Sequence, residues 1–362
     1  MFAVRPAPRG TTAGADPRLR RRELNDRRVP ASFLPLAATA LILVPSVAAR
    51  ASNDPSFGLQ WGLARIGAEA AWSRTTGAGI RIGIVDTGID LNHEDLAGKI
   101  VASTSCVGSG GDVAKCQGSA QDDQGHGTHV SGIAAAIKDN GRGVAGVAPD
   151  AELVVAKVLG ASGTGQGADV IAGIKWVVDH GAKVVNLSLG DPAQVIGALI
   201  SPNQLAEGVD YAWSRGAIPV VAAGNSNMLG LGLEGLGFGE MNAIVVGATG
   251  PDDRPATYST STGAAKWAVA APGGAGVPTK KEGDIYSTYW ASGQQNAYAY
   301  LAGTSMAAPH VSGALALLLA QGYDQLAAVN RLLDTADAGV GCEANSTTCR
   351  GRINVDRATA RP

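Results

Sequence analysis

The sequence predicts an α/β fold of three layers, in which a central, mostly parallel sheet carries helices on both faces. Short apolar runs rich in valine, isoleucine and alanine recur along the chain, and longer amphipathic stretches lie between them. Alternation of this kind is typical of parallel strands joined by helices that cover both faces of the sheet. The 362 residues, 45% of them hydrophobic, are sufficient for a large buried core.

The predicted elements can be placed in chain order. A short helix is expected within 60–72, and the β-branched run 81–85 predicts a strand that ends at Asp86. A helical pattern then begins at His126. The remaining predicted strands are 152–159, 183–187, 217–222 and 243–246, and the remaining predicted helices are 169–180, 204–215 and an apolar helix from about Ser305.

Three polar side chains fall just past predicted strands, namely Asp86, Ser188 and Asn225. In parallel sheets, binding and reacting groups gather at the carboxyl ends of the strands. We therefore expect these three side chains to lie along one edge of the sheet.

Residues 1–49 have the pattern of a signal peptide. Arginines cluster within 18–28, an uncharged stretch covers 29–49, and Val47-Ala48-Ala49 offers a small-residue cleavage site. The uncharged stretch is also just long enough to cross a bilayer as a retained anchor, but its three prolines favour cleavage. A secreted protein without stable membrane association is expected, and an N-terminal membrane anchor is the alternative.

Charge and cysteine content limit the possible partners and compartments. Residues 1–50 hold nine of the 29 basic and three of the 31 acidic residues, which leaves a net charge of −8 on 51–362. An acidic body argues against nucleic acid as a partner. The four cysteines fit an exported protein; three pairings are possible, and the local one would join Cys106 to Cys116 and Cys342 to Cys349.

Three side chains could together catalyse acyl transfer, which needs a nucleophile, a base and a carboxylate that orients the base. Asp86 ends a strand, His126 begins a helix, and Ser305 lies at a helix start. Each has an ordinary alternative, since a serine there can be an N-cap, an aspartate can belong to a turn, and a histidine can be a cap or a metal ligand. The chain order Asp, His, Ser differs from the Ser, Asp, His order of α/β-hydrolases, and the second glycine of their nucleophile elbow is absent.

The residues around these three side chains resemble the motifs of subtilisin-like serine proteases, the subtilases. Asp86-Thr87-Gly88-Ile89-Asp90 resembles the aspartate motif of the family. The histidine motif is matched by the eight residues from Gly125 to Gly132, and the serine motif by the nine residues from Gly303 to Val311. The resemblance runs from about residue 53 to 358 and implies the subtilisin-like fold.

The resemblance implies a role for each site residue. Ser305 would be the nucleophile, His126 the base and Asp86 its orienting partner, while the Asn225 amide and the Ser305 backbone N–H would form the oxyanion hole. Extended peptide substrates would pair with two segments by β-augmentation. The predicted contributors are Ser188, Leu189 and Gly190 in one segment and Gly160 and Gly163 in the other.

The resemblance also implies a structural calcium ion, for which oxygen ligands are appropriate. Asp54 matches the N-terminal ligand of the thermitase branch of the family. The complete predicted set consists of the side chains of Asp54, Asp95 and Asn140 and the backbone carbonyls of Ile137, Arg142 and Val144.

The predicted protein is thus a secreted, calcium-stabilised serine endopeptidase that cleaves proteins or peptides, with a catalytic domain over 50–362 and a monomeric state. A catalytically silent binding module of the same fold is the alternative. Such a module would lack a triad or oxyanion residue, and none of these residues is missing from this chain. Two departures from the family are expected. The long inhibitory prodomain of many secreted subtilases is missing, and a Gly/Leu-rich segment over 228–240 leaves the primary specificity pocket undefined.

Overall fold

The computed structural model describes residues 52–189, 197–199, 202–225, 238–276 and 281–361. The predicted signal peptide, Gly190 and most of the Gly/Leu-rich segment lie outside these ranges. The described elements, in chain order, are α1 Trp61–Ile66, α2 Ala68–Trp72, β1 Arg81–Asp86, β2 Ile100–Ser105, α3 His126–Ala135, β3 Glu152–Lys157, β4 Thr164–Gln166, α4 Gly167–Asp179, β5 Val184–Leu187, β6 Gly197–Leu199, α5 Pro202–Ser214, β7 Ile218–Ala222, β8 Ile244–Thr249, β9 Trp267–Pro272, β10 Ile285–Ala291, β11 Gln294–Leu301, α6 Thr304–Ala320, α7 Gln325–Asp334, β12 Cys349–Arg352 and α8 Val355–Thr359.

The main sheet of the described residues has eight strands in the order β12-β9-β8-β7-β5-β1-β3-β2. Every neighbouring pair in it is parallel. The predicted three-layer architecture is confirmed. Strand order reverses direction next to β1, which is the kind of position where open α/β sheets place their sites.

Alternation of side chains divides the core between the two faces of the sheet. In β3, Leu153 and Val155 belong to a core shared with α3 and α6, while Val154 and Ala156 belong to a second core shared with α4 and α5. The nearly uninterrupted apolar runs of the central strands follow from this burial on both sides.

Helix α6 is the long central helix of one face. It packs across β5, β7, β8 and β9 and against α3, and all of its residues from Thr304 to Leu318 are buried. A helix that is apolar all round belongs in the interior of a large domain, so its first turn, with Ser305, is fixed deep in the protein.

The predicted short helix over 60–72 is divided into α1 and α2. Gly67 between them adopts a left-handed conformation with φ 74°, which ends α1 and starts α2 in a new direction. The other predicted helices and strands are present with boundary shifts of one to three residues.

Seven further strands of the described chain were not predicted. Three of them, β2, β9 and β12, belong to the main sheet, and the other four form two smaller sheets. β10 and β11 form an antiparallel hairpin against α3, and the short β4 pairs in parallel with β6. The cysteines form the local pairs Cys106–Cys116 and Cys342–Cys349. No described helix is long and apolar enough to cross a bilayer.

Candidate active site

Asp86 and His126 are brought together by the meeting of β1 and α3. Asp86 ends β1 and is fully buried, and His126 is the first residue of α3. Gly125, which precedes the helix with φ 106°, can only be glycine, because a side chain there would overlap the ring of Tyr289 on the β10–β11 hairpin.

A hydrogen bond of 2.8 Å joins His126 Nδ1 to Asp86 Oδ1. Because a carboxylate can only accept, Nδ1 carries the proton and Nε2 of a neutral ring is left as a hydrogen-bond acceptor. The same oxygen of Asp86 accepts the backbone N–H of Thr87 at 2.7 Å, and within the described residues Oδ2 has no partner.

The electrostatic surroundings favour a protonated His126. Burial by itself would lower the pKa of His126, but the charge of Asp86, its hydrogen bond and the charge of Asp122 together raise that pKa above its usual value. The site therefore stabilises the imidazolium that would form if His126 accepted a proton.

The neighbouring His129 behaves differently. Its Nε2 donates to the carbonyls of Ile285 and Ala299 on the hairpin, at 3.1 and 3.0 Å. Burial lowers the pKa of His129 to about 3, so the ring stays neutral and joins α3 to the hairpin, as expected for a structural residue.

Ser305 is the second residue of α6 and is 7% exposed. Its Oγ donates to the carbonyl of Ser188 at 3.3 Å. Among the described residues, no hydrogen bond joins Ser305 Oγ to His126. The backbone carbonyl of Ser305 would normally accept from the N–H four residues later, but residue 309 is proline. The Ser188 hydroxyl takes that place and donates to Ser305 O at 2.8 Å.

Asn225 follows β7 and is held by the first turn of α6. Its Oδ1 accepts from the backbone N–H and the hydroxyl of Thr304, at 2.9 and 3.0 Å. The position that a Cβ at Gly303 would occupy lies 3.4 Å from Asn225 Nδ2 and 3.6 Å from the Ser305 backbone nitrogen. These two nitrogens therefore border the same small space, which is open because residue 303 has no side chain.

A buried polar network beneath Ser305 was not predicted. Asn186, inside β5, donates from Nδ2 to Ser188 Oγ at 2.9 Å and accepts from Ser312 Oγ at 2.8 Å. All three side chains are fully buried. The available signal in the sequence was an asparagine within an otherwise apolar strand run, because a buried amide needs partners.

The predicted substrate-binding residues lie in two places. Leu189 packs against the core shared with α4 and α5, next to Ser188. Gly160 and Gly163 form the turn before β4, in which the Gly163 N–H donates to the Gly160 carbonyl at 2.8 Å. β4 itself pairs with β6 along one of its edges.

The predicted calcium ligands converge on one loop, residues 137–144. Asp54 accepts three backbone N–H groups of this loop, from Asp139, Asn140 and Gly141, at 2.9 to 3.1 Å. The fully buried Asp95 accepts from the Asn140 side chain and the Val144 N–H, both at 2.8 Å.

The backbone carbonyls predicted as calcium ligands are without hydrogen-bond donors among the described residues. Those of Ile137, Arg142 and Val144 accept no hydrogen bond from the described residues, although Val144 is fully buried. Free carbonyl oxygens beside two carboxylates fit a hard cation. Among the described residues, no three acidic, histidine or cysteine side chains cluster as a metal site, so a cation here would depend on backbone and amide oxygens.

Comparison with known proteins gives a consistent result. Residues 77–345 match the subtilase family. The chain is 38% identical to thermitase from Thermoactinomyces vulgaris over 307 residues, which are 84% of this chain and 98% of that protein. It is 40% identical to subtilisin Savinase from Lederbergia lenta over 261 residues, covering 71% of this chain and 83% of that protein.

A solved protease structure from Pseudoalteromonas arctica superimposes with a TM-score of 0.69 at 28% sequence identity. The match covers 86% of this chain and 99% of that one. Family, fold and enzymatic relatives agree, and the chain belongs to the subtilase family of serine-type endopeptidases.

Proposed function

We propose that this endopeptidase cleaves peptide bonds with Ser305 as nucleophile, His126 as general base and Asp86 as its orienting carboxylate. The observation that carries the proposal is the 2.8 Å bond from His126 Nδ1 to the buried Asp86. This bond leaves His126 Nε2 free of a proton, so that Nε2 can act as the base that the Ser305 hydroxyl requires.

The reaction would proceed in two balanced halves. Ser305 Oγ forms a bond to the scissile carbonyl carbon while His126 Nε2 takes the hydroxyl proton, and that proton then passes to the amine that leaves. Water, activated by His126 in the same way, hydrolyses the resulting ester and restores Ser305. Rotation about the Ser305 side chain would replace its present bond to Ser188 O with one to His126.

Asn225 Nδ2 and the Ser305 backbone N–H would stabilise the oxyanion of each tetrahedral intermediate. Support comes from the fixed orientation of Asn225, whose Oδ1 is engaged by Thr304 and whose Nδ2 borders the space at Gly303. Donors that are oriented before the reaction need no rearrangement as charge develops.

Protein and peptide substrates follow from the enzyme class. We infer that extended substrates pair with the segments at Gly160–Gly163 and at Ser188–Gly190, of which Gly190 lies outside the described residues. We also infer that 1–49 is a signal peptide, that the catalytic domain covers 50–362 and acts as a secreted monomer, and that no long prodomain separates the two.

A calcium ion would bind the 137–144 loop. Asp54, Asp95 and Asn140 would hold it together with the free carbonyls of Ile137, Arg142 and Val144, and the ion would supply charge neutralisation to the two carboxylates. Asn140 would have to turn its amide, since Nδ2 rather than Oδ1 now faces Asp95. Because such an ion would bind only the folded protein, chelation should lower the melting temperature. A melting curve unchanged by chelator would contradict the site.

Replacement of Ser305 by alanine tests the catalytic proposal. The variant should lose hydrolysis of a chromogenic peptide and labelling by a fluorophosphonate, and it should keep the wild-type melting curve. Ser214→Ala, at an exposed serine of α5, is the matched control and should retain both activities. Peptide hydrolysis by Ser305→Ala at the wild-type rate would refute the assignment.

A further inference from the structure

Asp122 lies just before α3 and is almost completely buried, with 1% exposure. Its carboxylate accepts five hydrogen bonds. Oδ1 accepts from the Thr87 hydroxyl at 2.9 Å and from the backbone N–H groups of Gln124 and Gly125 at 3.1 and 2.9 Å. Oδ2 accepts from the backbone N–H and the hydroxyl of Thr128, at 3.0 and 2.6 Å.

The donors to Asp122 come from both elements that carry the proposed catalytic pair. Thr87 directly follows Asp86, and Gly125 and Thr128 flank His126. Thr87 Oγ1 also accepts the Gly127 N–H at 2.9 Å, so its hydroxyl hydrogen must point to Asp122. One carboxylate thereby connects the end of β1 to the first turn of α3.

The same carboxylate completes the start of the helix. The first N–H groups of a helix lack partners within the helix. Here His126 N donates to Gln124 Oε1, Gly127 N to Thr87, and Thr128 N to Asp122. A carboxylate at this position also interacts favourably with the helix dipole. It fixes the backbone on both sides of His126, and the His126 ring is bonded to Asp86 instead.

The charge of Asp122 acts on His126 at longer range. Among the described residues, the titratable groups around His126 are Asp86 from β1, Asp122 before α3, His129 on α3 and Tyr289 from the hairpin. Lys157, at the end of β3, donates instead to Asp123 and to the Thr87 carbonyl, at 2.6 Å each.

Burial would by itself raise the pKa of Asp122, but the Thr128 hydroxyl and the surrounding N–H groups outweigh it and lower that pKa. Asp122 is therefore ionised throughout the working range of a serine protease. It is a second fixed negative charge near His126.

We propose that Asp122 is a positioning residue of the peptidase reaction: it fixes the geometry of the Asp86–His126 pair through Thr87 and Thr128, and its charge stabilises His126 in the protonated form. This inference rests on the proposed role of His126 as the general base. All the hydrogen bonds to Asp122 from the described residues come from Thr87, Gln124, Gly125 and Thr128, so it acts through the residues it holds.

The test compares Asp122→Asn with Asp123→Asn in the full-length protein. The amide of Asp122→Asn removes the charge and cannot accept on its nitrogen. Its kcat on a chromogenic peptide should fall by roughly ten- to a hundredfold, as expected for a small misplacement of a catalytic group, while KM stays within about twofold. The acid limb of its kcat/KM profile should move to lower pH, because an opposite charge near His126 is lost. Asp123→Asn, beside it but bound to Lys157, should keep the wild-type rate and profile.

A second variant separates geometry from charge and covers the case in which Asp122→Asn does not fold. Thr87→Val cuts the connection to β1 and retains the carboxylate, so its kcat should fall by about tenfold with an unmoved acid limb. Rates are expressed per site titrated with fluorophosphonate. Wild-type kcat in Thr87→Val, or an unmoved acid limb in folded Asp122→Asn, would overturn the inference. Failure of the underlying role of His126 would appear separately, as undiminished hydrolysis by His126→Ala.

Discussion

Replacement of Ser188 by alanine should destabilise the protein strongly, although it removes one oxygen atom and introduces no clash. The Ser188 hydroxyl is fully buried, accepts from Asn186 Nδ2 at 2.9 Å and donates to the Ser305 carbonyl at 2.8 Å. Neither partner has an alternative, because Pro309 offers no N–H to Ser305 and the other end of the Asn186 amide is engaged by Ser312.

The expected magnitude follows from the two groups left without partners. An unsatisfied buried polar group costs about 1–3 kcal/mol, so the free energy of unfolding should fall by roughly 2–5 kcal/mol. For a domain of this size, each kcal/mol corresponds to about 2 °C or somewhat more. The melting temperature of Ser188→Ala should therefore fall by roughly 5–10 °C.

Calorimetry is best done in a Ser305→Ala background, which prevents self-digestion during heating. This background removes only the bond from Ser305 Oγ to the Ser188 carbonyl, and it retains both bonds of the Ser188 hydroxyl. Ser214→Ala is the matched control, since exposed substitutions usually change stability by less than about 0.5 kcal/mol. If Ser188→Ala had the same melting temperature as this control, the bond from the Ser188 hydroxyl to the Ser305 carbonyl would not stabilise the first turn of α6 as the structure indicates.

Two further predictions concern the oxyanion donors and acid stability. Asn225→Ala should lower kcat by about 100- to 1000-fold, the range known for this donor in subtilisins, with little change in KM. If steady-state kinetics gave a kcat within tenfold of the wild-type value, Asn225 would be excluded from the oxyanion hole. Acidification from pH 8 to 5 should destabilise the fold, because burial lowers the pKa of His129 to about 3 and that of His310 to about 4, so the unfolded chain binds protons that the folded chain does not. At pH 5 each of these two histidines lowers the free energy of unfolding by about 2 kcal/mol. The raised pKa of His126 acts in the opposite direction and offsets part of this loss. Urea unfolding curves with equal midpoints at both pH values would contradict this account.

The strands that were predicted have two buried faces, although β9 is buried in the same way and was not predicted. β1, β3, β5, β7 and β8 occupy the middle of the sheet and consist almost entirely of buried apolar residues. The edge strands have no such pattern. β2 is half-buried and rich in serine and threonine, and β12 is the short run Cys349–Arg352 with two arginines. An edge strand has an exposed side, and polar residues there protect the sheet from further pairing.

The site shows the same division between local and non-local information. Asp86, His126 and Ser305 stand in contiguous motifs, so their chemistry could be predicted from neighbouring residues in the chain. Asn186 and Asp122 each depend on a partner that is distant in sequence, so their connections become visible only when the fold brings those partners together. Asn186 reaches Ser312 across 126 positions, and Asp122 reaches Thr87 across 35.

In the proposed calcium site at residues 137–144, one pair of carboxylates would serve two purposes. The sequence predicts Asp54 and Asp95 as metal ligands, and in the structure both carboxylates already accept N–H groups of the 137–144 loop. These hydrogen bonds hold the backbone in its folded path through protein contacts alone. A bound ion would therefore add stability to a loop that is already built, by neutralising two carboxylates and satisfying carbonyls such as that of the buried Val144. For this reason, we expect removal of calcium to affect the melting temperature first and the chemistry at Ser305 only after the fold has loosened.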